Sequence, residues 1–303
     1  MVKTMKITLL GSLGNINRNL VPQLIEAGHD VTVITSRQEG VKPLLALGAK
    51  AALGTNTDSD FLTRTFEGSD VVYLMISSKA YSPTETSMLD LADIYSQAIR
   101  NSGVKKVINL SSVGAQTPEA GILYQYHYME DALNAIEEVA ITHIRPMGFY
   151  TNHFSELETI NSENTIYEAI ASDTKRAWVD PADIADCIFQ EILNLHSNQT
   201  VSSVKYVVSD WATGQDWIDA LAENGLTVKY IKITIDTLIA NFMEAGLPET
   251  VAKGFGQMAR FQQTPDKLYG EITQSNYFLG KVKNKDFAKV FANIQKAQTS
   301  KNN

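Results

Sequence analysis

The stretch Lys6-Ile7-Thr8-Leu9-Leu10-Gly11-Ser12-Leu13-Gly14-Asn15-Ile16-Asn17 decides the fold. Its apolar first half reads as a buried strand, and a helix is expected to begin near Asn15, so Gly11 and Gly14 fall in the turn between the two. Glycine there lets the backbone approach a ligand closely, and free N–H groups at a helix start can bind phosphate oxygens. A strand-to-helix turn with two glycines is common on its own. This one sits at the first such junction and is followed by a second strand, Asp30–Ser36, at the distance expected of a dinucleotide-binding βαβ unit. The third glycine of the usual fingerprint is replaced by Asn17, where helix and sheet pack closely, and we read this as altered packing rather than lost binding. Arg18 offers either a phosphate contact or a solvated helix cation.

Outward from the loop, short runs of Ile, Val and Leu alternate with longer amphipathic stretches, the pattern of strands and crossover helices in a parallel sheet. Strands are predicted at Lys6–Leu10, Asp30–Ser36, Ala49–Gly54, Val71–Ile76, Val104–Ser111 and Ala140–Arg145. Helices are predicted at Asn15–Ala27, Val41–Leu47, Asp60–Phe66, Thr84–Ser102 and Leu123–Glu138. After Arg145-Pro146 the alternation loosens, and Tyr150–Lys175 is expected to lie outside the sheet. Ala177-Trp178-Val179, a helix over Pro181–Asn194 and a strand over Ser203–Ser209 are expected to rejoin it. The final third reads as mainly helical, with one strand at Thr227–Ile231 and a frayed polar tail. The expected architecture is α/β: a Rossmann-type doubly wound parallel sheet over residues 1–150, rejoined by 177–210, with a smaller, mainly helical C-terminal lobe from 151–176 and 211–303.

Composition narrows the function classes. With 303 residues, 44% of them hydrophobic and 20% charged, the chain is an ordinary globular protein of one large core plus an appendage. A formal net charge of -8 and the lack of a dense basic run argue against direct nucleic-acid binding. The single cysteine, Cys187, excludes an internal disulfide framework and a multi-cysteine zinc site, and the five histidines lack zinc-binding spacing, so no metal is expected. The lone cysteine, the missing signal-peptide pattern and the absence of an apolar run of membrane-spanning length lead us to expect a soluble, cytoplasmic protein with no membrane contact.

The end of the second strand selects the dinucleotide. NAD-binding proteins usually place Asp or Glu there for the ribose hydroxyls, whereas Val33-Ile34-Thr35-Ser36-Arg37 offers neither. Ser36 and Arg37 suit a 2′-phosphate, because a guanidinium can pair with phosphate in a bidentate way and stack on adenine. NADPH is therefore expected over NADH, the competing role for Arg37 being that of an exposed loop residue.

Three further segments carry a family resemblance: Ser102-Gly103-Val104-Lys105-Lys106-Val107-Ile108-Asn109-Leu110-Ser111-Ser112, Arg145-Pro146-Met147-Gly148-Phe149-Tyr150-Thr151-Asn152 and Val179-Asp180-Pro181-Ala182-Asp183-Ile184-Ala185. With the phosphate loop and Ala245-Gly246-Leu247-Pro248, they resemble the NmrA-like branch of atypical short-chain dehydrogenases/reductases, which includes NADPH-dependent quinone reductases and NADP-sensing regulators. The resemblance implies that Gly11, Ser12, Leu13, Gly14, Asn15 and Ile16 hold the pyrophosphate of NADP(H) and Arg37 its 2′-phosphate. It places Met75, Ile76 and Ser77 on the adenosine side, and Ser111, Pro146, Met147 and Phe149 toward the nicotinamide.

Typical short-chain dehydrogenases use a tyrosine and a lysine four residues later, the lysine lowering the tyrosine pKa for proton exchange. Here four residues past Tyr124 is Tyr128, four past Tyr126 is Glu130, and no lysine lies between Lys106 and Lys175. Quinone reduction by direct hydride transfer needs no activated tyrosine. His127 and Tyr128 are candidate donors to an acceptor oxygen, with packing on an amphipathic helix as the alternative; Asn109, His143 and His153 read as structural. The expected function is an NADPH-dependent reductase of a quinone-like small acceptor held between the two parts of the chain. The alternative is a non-catalytic NADP(H)-sensing regulator acting through a protein partner. A nucleotide-sugar epimerase or dehydratase ranks last, since it needs the activated tyrosine.

Overall fold

The computed structural model describes residues 4–82, 84–194 and 203–302. The strands are β1 (Lys6–Leu9), β2 (Asp30–Thr35), β3 (Lys50–Leu53), β4 (Val71–Met75), β5 (Lys106–Leu110), β6 (Ala140–Pro146), β7 (Gly148–Phe149), β8 (Thr165–Glu168), β9 (Arg176–Val179), β10 (Ser203–Val208), β11 (Asp210–Ala212), β12 (Lys229–Lys232) and β13 (Tyr277–Leu279). The helices are α1 (Asn17–Glu26), α2 (Val41–Ala46), α3 (Ser59–Phe66), α4 (Met88–Ser102), α5 (His127–Asn134), α6 (Leu157–Glu163), α7 (Pro181–Asn194), α8 (Gly214–Glu223), α9 (Ile235–Glu244), α10 (Glu249–Gln262), α11 (Pro265–Leu268) and α12 (Asn284–Asn302). No helix among the described residues is long and apolar enough to cross a membrane.

The main sheet has eight strands in the order β13-β10-β6-β5-β4-β1-β2-β3. The pairings β1–β2, β1–β4, β2–β3, β4–β5, β5–β6 and β10–β13 are all parallel. The order reverses at β1, which has β2 on one side and β4 on the other. This is the Rossmann-type switch point, where ligands bind beyond the carboxyl ends of the strands. In β4, Val71, Val72, Tyr73 and Leu74 are all buried, as the unbroken apolar run of a doubly covered strand requires. Leu62 and Phe66 of α3, with Leu91, Tyr95 and Ile99 of α4, share one core with Val72, Leu74, Val107 and Ile141.

By spatial clustering the chain divides into two compact units: Met1–Ala115 with Gln125–Arg145 and Ile184–Lys205, and Gln116–Tyr124 with Pro146–Asp183 and Tyr206–Asn303. The first holds β1 to β5 and most of β6. The second has an aromatic core of its own, with Tyr150, Trp178, Trp217, Phe287 and Phe291 buried together. It contains a small sheet ordered β11-β9-β7 and the pair β12–β8.

Several expectations change. Tyr150–Lys175, expected to lie outside the sheet, carries one short strand, β8, which pairs with β12 and not with the main sheet; its two buried residues, Thr165 and Ile166, make a signal too short to register as alternation. Ala177-Trp178-Val179 lies in β9, which pairs with β7 and β11 rather than joining the main sheet, whereas β10 is a main-sheet strand. Strand β13 was not expected in the helical final third. Helix α4 starts at Met88 rather than Thr84, because Ser87 Oγ accepts the Asp90 N–H at 3.1 Å and caps it. Helix α5 starts at His127 rather than Leu123; a 3₁₀ stretch, Pro118–Tyr126, precedes it, broken at Gly121 (φ 63°, ψ −122°).

Candidate functional site

The phosphate loop is built from the end of β1. The Leu10 N–H donates to Tyr73 O at 3.0 Å, and the chain then turns through two left-handed residues, Gly11 (φ +100°) and Ser12 (φ +48°). A side chain on Gly11 would be strained by this positive φ, and its Cβ would press on Met75, 3.1 Å from Cγ and 3.2 Å from Sδ. The Ser12 N–H donates to Ile34 O at 3.1 Å, and the Gly14 N–H to Gly11 O at 3.1 Å.

Asn17 completes the loop. Only 2% exposed, it donates from Nδ2 to Leu10 O at 2.7 Å and to Ser12 O at 2.8 Å, bracing the turn from beneath. Where the usual fingerprint has glycine for close packing, this chain has a side chain that ties the loop to the strand. Helix α1 begins here with no acidic residue in its first turn. The backbone N–H groups of Leu13, Asn15 and Ile16 have no acceptor among the described residues. A braced loop with outward donors at a helix N-terminus fits a diphosphate. The buried Asn17 Oδ1 has no hydrogen-bond partner among the described residues and, being an acceptor, offers nothing to a phosphate oxygen.

The turn after β2 is held by Thr35, whose Oγ1 donates to Arg37 O at 3.3 Å, and by the Gly40 N–H, which donates to Arg37 O at 3.0 Å. Arg37 projects into solvent, its side chain 77% exposed, with its Nε 3.8 Å from Glu39 Oε1; the Glu39 side chain is 73% exposed. An exposed guanidinium held only by this open pair fits a 2′-phosphate. Glu39 was missed from sequence because it stands two residues beyond the window inspected for an acid.

At the end of β4, Met75 is half-buried, Ile76 buried and Ser77 exposed. At the end of β5, Ser111 is buried; its N–H donates to Ile144 O at 2.7 Å and its hydroxyl to Glu130 Oε1 at 2.5 Å. The hydroxyl proton is thus committed to the protein. Glu130, also buried, accepts from Arg145 Nε on Oε1 at 3.0 Å and from Nη2 on Oε2 at 2.6 Å, a bidentate pair. Burial alone would raise the Glu130 carboxyl, but the Arg145 hydrogen bonds and charge outweigh it and hold the group below the usual carboxylate range. Pro146 ends β6 and lies in the second unit with Met147, buried and donating from N–H to Val207 O at 3.2 Å, and Phe149, half-buried in β7.

The aromatic run divides between elements. Tyr126 is half-buried against the core; desolvation pushes its hydroxyl up, and a hydrogen bond with Tyr81 opposes that only in part. Its partner four residues on, where a lysine would activate it, is Glu130. His127 is half-buried and Tyr128 is 37% exposed, their ring centroids 4.1 Å apart on the first turn of α5. His143 is buried in the core, with Nδ1 facing Asn109 Nδ2 at 3.1 Å and Nε2 facing Asn134 Oδ1 at 3.1 Å. His153 lies between the rings of Trp178 and Trp217, its Nδ1 2.8 Å from Glu156 Oε1. Among the described residues, no three His, Cys, Asp or Glu are grouped to hold a metal ion.

A family described as NAD(P)H-binding matches residues 11–194, a span that opens on Gly11. No curated protein matches the chain by sequence. Solved structures do. The NADPH-dependent quinone oxidoreductase QOR2 of Escherichia coli, complexed with NADPH, is 17% identical, with 94% of this chain and 99% of that chain covered and a TM-score of 0.75. Triphenylmethane reductase of Citrobacter sp. is 16% identical over 95% and 99%, TM-score 0.72. NmrA, a negative transcriptional regulator in complex with NADP, is 13% identical over 97% and 98%, TM-score 0.73. The chain belongs to the NAD(P)H-binding family, and its fold is that of the quinone oxidoreductase QOR2 and of NmrA.

Proposed function

We propose that the chain is an NADPH-dependent reductase that passes hydride directly to a quinone or similar small acceptor. The observation that carries this reading is the fate of the proton-relay pair. Tyr126 is half-buried, with desolvation pushing its hydroxyl up, and Glu130, four residues on, is locked to Arg145 and Ser111. An activated tyrosine is missing, which counts against epimerase or dehydratase chemistry and favours a reaction that needs only orientation. Leu13, Asn15 and Ile16 would hold the pyrophosphate through their N–H groups, Arg37 the 2′-phosphate, and Met75, Ile76 and Ser77 the adenosine side. Bound NADPH supplies the hydride; with one proton from solvent or a side chain, a quinone becomes the hydroquinone and NADPH becomes NADP⁺. His127 and Tyr128, whose rings lie 4.1 Å apart on one turn, would offer the hydrogen bond to the acceptor oxygen.

The test is nicotinamide absorbance followed across a panel of benzoquinones and naphthoquinones. Acceptor-dependent NADPH oxidation is expected, and Tyr126→Phe should keep kcat within about threefold, against losses of about a hundredfold or more for a true general acid. Bound NADPH that no quinone oxidises would overturn the reading. That result, with unequal affinities for NADPH and NADP⁺, would instead support a redox-sensing regulator, which the missing relay equally permits.

A further inference from the structure

We propose that Glu39 sets how strongly the chain discriminates NADPH from NADH, by competing with the 2′-phosphate for the Arg37 guanidinium. This rests on the cofactor reading above. The turn that carries both residues has one tight geometry: a Cβ on Gly40 would fall 2.4 Å from Thr35 Oγ1, and that hydroxyl donates to Arg37 O. Residues 37 and 39 are therefore presented together, at the carboxyl end of β2, on the first unit that also holds the phosphate loop.

The pair is an open one. Nε and Oε1 are 3.8 Å apart and both side chains are about three-quarters exposed, so it is weak, screened by salt and readily displaced by a phosphate dianion. Displacement leaves the carboxylate behind. Glu39 then stands well within a Debye length of the phosphate that replaced it and repels it. Toward a cofactor with a free ribose hydroxyl the same carboxylate is an acceptor, the role an acid normally fills near this strand end. Asp58, which follows the carboxyl end of the neighbouring strand β3, is occupied: it caps α3 by accepting the Phe61 N–H at 2.9 Å. Glu39 thus opposes NADPH and favours NADH, which makes Arg37 a less selective reader than its residue type alone implies.

The experiment measures dissociation constants of the full chain for NADPH and NADH by fluorescence titration, at low and high salt, for the unaltered protein, Glu39→Gln and Arg37→Gln. Glu39→Gln is expected to tighten NADPH by a factor of about two to five and to leave NADH unchanged or weaker, with the gain shrinking at high salt. Arg37→Gln is expected to weaken NADPH by about tenfold or more. If Arg37→Gln does so while Glu39→Gln leaves the NADPH-to-NADH ratio unmoved, the role of Glu39 is overturned and the cofactor reading stands. If neither variant moves the ratio, the 2′-phosphate site falls, and this inference with it.

Discussion

Asn17 shows how a departure from a motif can be a substitution of means. Read in the sequence, it spoils the third glycine; in the fold, its amide ties the carbonyls at both ends of the Leu10–Ser12 turn. Nothing in a single sequence distinguishes the two, because the partners are backbone atoms without sequence identity. Replacing it by alanine, or by glycine as in the fingerprint, removes two buried donors. Each variant should lose about 1–3 kcal/mol in urea unfolding and bind NADPH more weakly. An unchanged midpoint together with unchanged affinity would show that the brace is dispensable. Arg37 is singled out as a candidate by residue type and position, whereas its neighbour Glu39 becomes relevant only once the turn is seen to present both.

At the scale of elements, β5, β6 and α5 meet through polar contacts that periodicity cannot reveal: Ser111, Glu130 and Arg145 form one buried cluster, and buried Asn109 and His143 form another with the exposed Asn134. Strands β5 and β6 were legible as apolar runs, and their partners in these contacts were not. His143 accepts from Asn109 Nδ2 on Nδ1 and donates from Nε2 to Asn134 Oδ1, an arrangement that fits the neutral ring. Burial holds its imidazole below the ordinary range against the opposing pull of Glu130. A histidine with a lowered folded pKa stabilises the fold fully above the unfolded value, near 6.5, and this contribution is lost as pH falls through the folded value. Urea midpoints measured from about pH 8 to about pH 5.5 should therefore decline, and His143→Gln should flatten that decline. A slope that survives the substitution would assign it to other groups. Glu130 acts in the same direction at more acid pH, since its carboxyl, held below the usual range by Arg145, contributes stability that is lost as pH falls through its folded value.

Over the whole molecule, the first unit was the readable one. Its strands alternate with helices in sequence and appear in the sheet as β6-β5-β4-β1-β2-β3, so the switch point and the loop beyond it followed from one pattern. The second unit is organised by stacked rings instead: Tyr150 against Phe287 with centroids 5.1 Å apart, and Trp217 against His153 at 4.1 Å. Short strands and scattered aromatics leave no period to detect, which is why β8, β9 and β13 were misplaced or missed. The central claim, that a braced loop and an exposed arginine make this an NADPH site, is a claim about binding. It is tested most directly by calorimetric titration of the full chain with NADPH and NADH, paired with thermal unfolding at each cofactor concentration. The account predicts saturable binding, tighter for NADPH, with stabilisation reaching about 2.7 kcal/mol at a hundred times the dissociation constant. Absence of binding heat and of any unfolding shift with NADPH, or an NADH affinity that equals or exceeds it, would contradict the account.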